Sequence, residues 1–460
     1  MCFIILTNQK NLGGTTMDKL LEKVYGMSAE EMAAAKEHLM VGGGSPFTTA
    51  LQTGDGIRVT DINGKTYIDC TSQSWALYLG HANKEIREIV YEHMQNQSHI
   101  HQGFDTKIRY ALAKKLTEIA PPHINRVSFT ASSGLGIEAA IKLSLKNVEG
   151  SRKVIVLDDA YHGNSLTTAA ASWTSTQASG KFTGVMNFRN GLNDLFIRVP
   201  NPYTYQWKKT NNPEDCVDYC LAAMENAIQR EVVGQVAAIL LEPIQASGGQ
   251  IILPKRYLEG VRALADKYGC LLIFDEIQTY CRIGEWFAYN YFGVEPDIIC
   301  TGKAIGAGFP MAAVLLRDGL KGFEMNAEEL HTFANNTVSQ VCALKQIEII
   351  ERDNLLENTR NVGKILGDGV KSMMNAYPEI GDVRQAGLHI GVEMVADPVT
   401  KEAHPAAAKI KSTAVENGLI LGTGGFRKHI LKIKPPLITT PADAAEILER
   451  WEATLKASLR

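Results

Sequence analysis

Four short apolar runs, at 126–131, 153–158, 235–241 and 270–275, alternate with helical patterns and each ends in a polar cluster. The helix feeding the last of them is read over 256–268. Nearly continuous apolar runs belong to strands covered on both faces, so the chain specifies an α/β fold with a mostly parallel central sheet and helices on both sides. Ligands of such open sheets bind beyond the carboxyl ends of the strands, which is where Ser132-Ser133-Gly134, Asp158, Glu242 and Asp275-Glu276 fall. A single site built from several strand ends is expected.

Residues 57–69 read as two alternating strands joined by Asn63-Gly64, a strong hairpin signal. From about residue 345 the pattern is helical over 343–354 and 362–374, with short strands around 388–395 and 430–433 and a closing helix over 442–455. The expected organisation is a loose arm over 1–16, an N-terminal segment 17–70 that joins a small α+β domain, a large domain over 71–335 that carries the site, and residues 336–460 completing the small domain.

Composition narrows the partners. The 460 residues carry 47 Lys and Arg against 50 Asp and Glu, a formal charge of −3, so no basic surplus exists to match a phosphate backbone and nucleic acid is not expected. No stretch reaches the ~18 consecutive apolar residues of a bilayer span, and the first residues lack the basic region of a secretory signal. Eight scattered cysteines, several inside apolar runs, fit reduced thiols and a cytoplasmic protein. Cys216 and Cys220 share a helix face without a second pair of ligands, and His99-Ile100-His101 reads as a rim or surface strand, so no metal is expected.

The chemistry concentrates in two strand ends. Leu272-Ile273-Phe274-Asp275 closes one buried strand with an acid, and a second buried strand ends in Thr301-Gly302-Lys303. A lysine flanked by Gly302 and Ala304 at a buried strand end is poorly placed to be a solvated surface charge, and burial makes a neutral, nucleophilic amine available for Schiff-base chemistry. An aspartate beside a heterocyclic nitrogen keeps that nitrogen protonated. Together they meet the minimum a pyridoxal phosphate (PLP) site requires.

Asp275-Glu276-Ile277-Gln278 with Thr301-Gly302-Lys303 resembles the signature of the class III, or ω-type, PLP-dependent aminotransferases of fold type I. The resemblance runs from residue 57 to the end and includes Leu79-Gly80-His81, Ser132-Ser133-Gly134, Tyr161-His162-Gly163, Glu242-Pro243-Ile244-Gln245, Thr332-Phe333-Ala334-Asn335-Asn336 and Pro435-Pro436-Leu437. It implies that 71–335 binds PLP and that Lys303 forms the Schiff base and then moves protons as acid and base. It further implies Asp275 at the pyridinium nitrogen, Gln278 at the phenolic oxygen, Ser133 and Gly134 at the phosphate, Tyr161 stacked on the ring, and Glu242 close by. Thr332 would reach the phosphate of a neighbouring subunit. The implied protein is a homodimer with shared active sites, with pairing of dimers into tetramers left open, acting on an amine or amino acid and a keto acid.

Several positions depart from the family pattern. Lys432 stands where many members carry an arginine that forks onto a substrate carboxylate, and lysine lacks that planar bidentate donor. Ala246-Ser247 replaces the acid that usually gates this arginine. Asn164 replaces an arginine found in members acting on 4-aminobutyrate or glutamate, and Leu135-Gly136 replaces an acidic-alanine pair. Tyr280 stands where glycine is usual, and Trp75 lies in a stretch that lines the substrate entrance of relatives. These two aromatic residues lead to the expectation of a hydrophobic or aromatic amine donor. The alternative activity is an amino-acid racemase or epimerase, which returns the proton to the same carbon from the opposite face and needs a second acid that the sequence does not identify. A non-catalytic PLP-binding homologue is disfavoured by an intact Lys303, Asp275 and Thr332.

Overall fold

The computed structural model describes residues 18–40, 50–173, 193–210, 212–324 and 328–460. The arm expected over 1–16 lies outside these residues. Two compact units result: one comprises the chain up to Thr53 together with Thr60–Lys65, the other Gly54–Val59 together with Thr66–Arg460. In the first, helices Lys19–Tyr25 and Ala29–Lys36 bury no residue, and the second is started by a capping box between Ser28 and Glu31. Everything below concerns the second unit.

Its main sheet has seven strands: β1 (Ile124–Thr130), β2 (Ser151–Leu157), β3 (Phe196–Val199), β4 (Gln235–Leu241), β5 (Leu271–Asp275), β6 (Ile298–Thr301) and β7 (Ala312–Arg317). They lie in the order β1-β7-β6-β5-β4-β2-β3, with β7 antiparallel to both neighbours and the remaining pairs parallel. The four apolar runs read from the sequence are β1, β2, β4 and β5.

Alternate residues of these strands enter opposite layers. Ile155, Leu157, Ile239, Leu241, Leu272 and Phe274 pack in one cluster with Val217, Met224, Leu258 and Val261 of helices Pro213–Arg230 and Lys255–Tyr268. Val154, Val156, Leu240, Ile273 and Ile298 pack on the other side with Ile137, Ile141 and Leu143 of helix Ser133–Asn147. With both faces covered, neither parity has a polar side, which is why the strands read as unbroken apolar runs. Cys216 and Cys220 are part of the first layer, and the seven cysteines of the described residues are buried and unpaired. No described helix is long and apolar enough to cross a membrane.

A second, antiparallel sheet is formed by β8 (Ile380–Ala386), β9 (His389–Asp397), β10 (Gly422–Gly424) and β11 (Ile430–Ile433), in the order β8-β9-β11-β10. Helices Thr337–Arg352 and Leu355–Ser372 meet at Asn354, whose left-handed φ of 51° turns the chain between them. The first begins earlier than its apolar pattern suggests because the Asn336 side chain caps it, accepting from Ser339 N at 2.9 Å. Strand Thr66–Asp69 of the expected hairpin pairs in parallel with Leu419–Ile420, close in sequence to β10.

Candidate functional site

Strand register gathers the polar strand ends. Asp275 is in register with Cys300 across the parallel β5–β6 pair, and Phe274 with Leu241 across β5–β4. Asp275, Glu242 and the Thr301-Gly302-Lys303 segment therefore leave the sheet at one edge. Antiparallel β7 links Thr301 and Phe129 through Ala313, bringing the end of β1 and the following Ser132-Ser133 to the same edge. Lys303 follows an extended Gly302 and has a left-handed φ of 47°, a conformation disfavoured for residues with a Cβ and held here by a short 3₁₀ turn over Lys303–Gly306.

Helix Ser133–Asn147 begins at this edge with Ser132 as its N-cap, so the amides of its first turn face outward without intrahelical partners. Two glycines close in on that turn. A Cβ on Gly302 would lie 2.2 Å from Ser133 Oγ, and one on Gly163, at φ +134°, would lie 2.6 Å from Thr168 Oγ1 and 3.2 Å from Gly134 Cα. Glycine is thus required for the Tyr161-His162-Gly163 loop to lie against the helix start.

Behind them sits a buried acid–imidazole pair. His162 Nδ1 is 2.7 Å from Asp275 Oδ2, while Asp275 Oδ1 accepts from Ile277 N at 3.1 Å. His162 Nε2 is buried without a partner among the described residues. Glu242 ties two loops together, accepting from Tyr161 N at 2.9 Å and Ala246 N at 3.1 Å, and burial with Asp275 nearby raises its pKa. Burial also pushes Glu276 up to about 8, where it accepts from Ala288 N at 2.6 Å and Thr279 Oγ1 at 3.1 Å and organises the loop following β5. Lys303 is shifted the other way, since burial lowers its pKa while Asp275 and Glu242 oppose the shift. Its amine has no hydrogen-bond partner among the described residues.

The remaining wall is cationic. Lys434, fully buried, donates to Gln278 Oε1 at 3.2 Å and lies 3.1 Å from His389 Nε2. Lys432, 2% exposed, reaches Ala246 O at 3.5 Å, and burial with Lys428 nearby lowers its pKa to about 7. Trp75 covers both amines, with Lys432 Nζ 4.5 Å and Lys434 Nζ 4.3 Å from its ring. Trp75 is carried by a left-handed turn in which Ser72, Gln73, Ser74 and Trp75 have φ of 47°, 49°, 58° and 69°. Asp69 pins that turn, accepting from Thr71 N at 2.9 Å and Gln73 N at 3.0 Å.

Ser133, Gly134, Tyr161, Glu242, Asp275, Gln278, Lys303, Lys432 and Trp75 are thus linked through contacts, strand register or mutual charge. Two expected residues are not brought to them. Tyr280 is fully buried in the core beside Tyr78, Trp286 and Phe287, so its ring does not shape a substrate entrance. Thr332 is exposed in the turn before helix Thr337–Arg352. The sequence reading gave no role to His162, Lys434, His389 or Asp69. His162 was within reach of it, in the quoted Tyr161-His162-Gly163 motif, whereas the other three depend on contacts between distant segments.

The family model for class III aminotransferases matches residues 40–455. An alanine/serine racemase of Pyrococcus horikoshii is 32% identical, over 96% of this chain and 93% of its own. A taurine–pyruvate aminotransferase of Bilophila wadsworthia is 32% identical, over 86% of this chain and 89% of its own. Among solved structures, a Bacillus anthracis aminotransferase superposes with a TM-score of 0.83 at 27% identity, covering 96% of this chain and 100% of its own.

Proposed function

This chain belongs to the class III aminotransferase family, whose cofactor is pyridoxal 5′-phosphate, and from that premise we propose that Lys303 is the reactive amine for amino transfer from a small, acid-bearing donor to a keto acid. The observation carrying this reading is the register that brings Asp275 and Lys303 to the same edge of adjacent parallel strands.

The residues fit the cofactor. Lys303 has an unpartnered amine of lowered pKa, the first turn of helix Ser133–Asn147 has free amides, and glycines stand where a Cβ would fill the cradle. Bound PLP supplies an electron sink for negative charge at the donor α carbon. The Ser133 and Gly134 amides would bind its phosphate, the Tyr161 ring would cover its ring, and Gln278 would donate to its phenolic oxygen. Asp275, held by His162, would pair with its ring nitrogen and favour that nitrogen's protonated form. Lys303 Nζ would take the α proton of the donor and hold it as the acid for reprotonation.

Lys432 is read as the partner of the donor's acid group, replacing the expectation of an aromatic donor drawn from Trp75 and Tyr280. Taurine and alanine, named for two relatives, both join an amine to an acid. Thr332, exposed and apart from the other residues, is read as a contribution to the site of a second subunit in a homodimer. Seven buried free cysteines among the described residues support a cytoplasmic setting. The confinement of the seven-stranded sheet to residues 124–317 supports a PLP-binding domain over 71–335, with 336–460 in a smaller one.

The test is a donor panel with and without Lys303→Ala. Alanine, serine and taurine are expected to give carbonyl product with the native enzyme at least about tenfold faster than 1-phenylethylamine, and none with the variant. Product formation by the variant would overturn the role of Lys303, and preference for 1-phenylethylamine that of Lys432. Mixing inactive Lys303→Ala and Thr332→Ala subunits restores activity only if the sites are shared. Racemases among the relatives, one named for alanine and serine and one for leucine and methionine, favour a second reading, in which the α proton returns to the same carbon.

A further inference from the structure

Gln278 has two chemically opposite ends on one carboxamide, and only its N–H end can donate to a phenolic oxygen. The side chain is 5% exposed. Its Oε1 accepts from Lys434 Nζ at 3.2 Å, and no protein acceptor is bonded to its Nε2 among the described residues. Lys434 is itself fixed from several directions. Its amide donates to Cys70 O at 2.8 Å, its carbonyl accepts from Ser72 Oγ at 2.8 Å, and its amine meets His389 Nε2 at 3.1 Å and the Trp75 ring at 4.3 Å. His389 is buried, and burial with Lys434 and Arg282 nearby pushes its imidazole pKa well down.

We infer that Lys434 is a positioning residue that sets the polarity of the Gln278 carboxamide, holding its oxygen inward so that its N–H faces the cofactor. Burial, with Arg282 and Lys432 nearby, lowers the Lys434 pKa, and the contact its amine makes is donation to Oε1, so the flipped carboxamide, which would point its oxygen at the cofactor's oxygen, loses this N–H···O bond. His389 and Trp75 supply the two remaining contacts that keep the amine at this point. The inference rests on the proposed reading of Gln278 at the cofactor, and it gives a role to the lysine that precedes Pro435-Pro436-Leu437.

The test uses the holoenzyme and follows the pH at which its visible cofactor band titrates, together with the rate of cofactor loss on dilution. Gln278→Ala is expected to move the band's titration by about one unit. Lys434→Met, which keeps the apolar stem and removes the donor, is expected to move it in the same direction by at least half as much, with Lys434→Arg restoring most of the native value. The double variant Gln278→Ala/Lys434→Met should match Gln278→Ala alone, since a residue acting only through Gln278 has nothing left to act on. An unchanged titration in Gln278→Ala would overturn the placement of Gln278 itself. A shift there with none in Lys434→Met, or additive shifts in the double variant, would overturn the inference alone. If Lys434→Met does not fold, His389→Gln provides the second probe: a smaller shift in the same direction supports the inference, and no shift contradicts it.

Discussion

His162 Nδ1 stands 2.7 Å from Asp275 Oδ2 with both side chains buried, an imidazole from the loop after β2 clamping the acid at the end of β5. With Nδ1 as the donor, this contact fixes the orientation of Oδ2. Asp275→Asn removes the charge but keeps the shape, and kcat is expected to fall by roughly 10³-fold. His162→Ala leaves the charge but frees its orientation, at an expected cost of ten- to about 100-fold. Steady-state kinetics with alanine as donor, beside thermal melts to confirm folding, measure both. Equal losses in the two variants would contradict a clamping role.

Gly302→Ala tests the phosphate cradle. The added methyl would lie 2.2 Å from Ser133 Oγ and 3.0 Å from its Cβ, so the serine has to turn away. The expected outcome is cofactor affinity weakened by about tenfold, the worth of one hydrogen bond, with the fold retained. Equilibrium dialysis of PLP against the apoenzyme gives the number.

Donor recognition should depend on pH. Lys432, lowered to about 7, is charged below that pH and neutral above it. An acid-bearing donor prefers the charged form, so its KM is expected to rise as pH climbs through 7 and to stay flat in Lys432→Met. A donor without an acid group should show no such rise.

A structural acid gives a prediction of opposite sign. Glu393 is buried, accepts from Arg384 at 2.7 Å and His429 at 3.2 Å, and is held down to about 2 by these partners against the opposing effect of burial. A depressed carboxyl contributes stability that is present above its unfolded value of ~4.3 and lost as pH falls toward the folded one. Glu393→Gln is expected to cost about 3 kcal/mol at pH 7 and progressively less between pH 4 and 2. Denaturant melts across that range check it.

The sheet was legible because parallel strands buried on both faces leave continuous apolar runs, and β1, β2, β4 and β5 stand within one or two residues of those runs. β3, four residues at the sheet edge, and β7, beginning Ala312-Ala313, carry too little apolar signal to be read. Asp275 and Lys303 were legible because each ends a buried strand with a charge that burial makes costly. Tyr280 misled the reading because its position in a motif says nothing about which way its ring packs. The role of Lys434 could not be found, since its partners Gln278 and His389 lie 156 and 45 residues away. The same holds for the turn that presents Trp75, whose left-handed backbone is imposed by Asp69 rather than by glycine.

The most direct measurement is the visible spectrum of the holoenzyme on adding alanine without any keto acid, in heavy water, with the amino acid recovered and resolved by chirality. Loss of the visible band with release of one pyruvate per site is the predicted result. Persistence of the band while the alanine inverts and takes up deuterium at its α carbon would contradict amino transfer and identify the chain as a racemase.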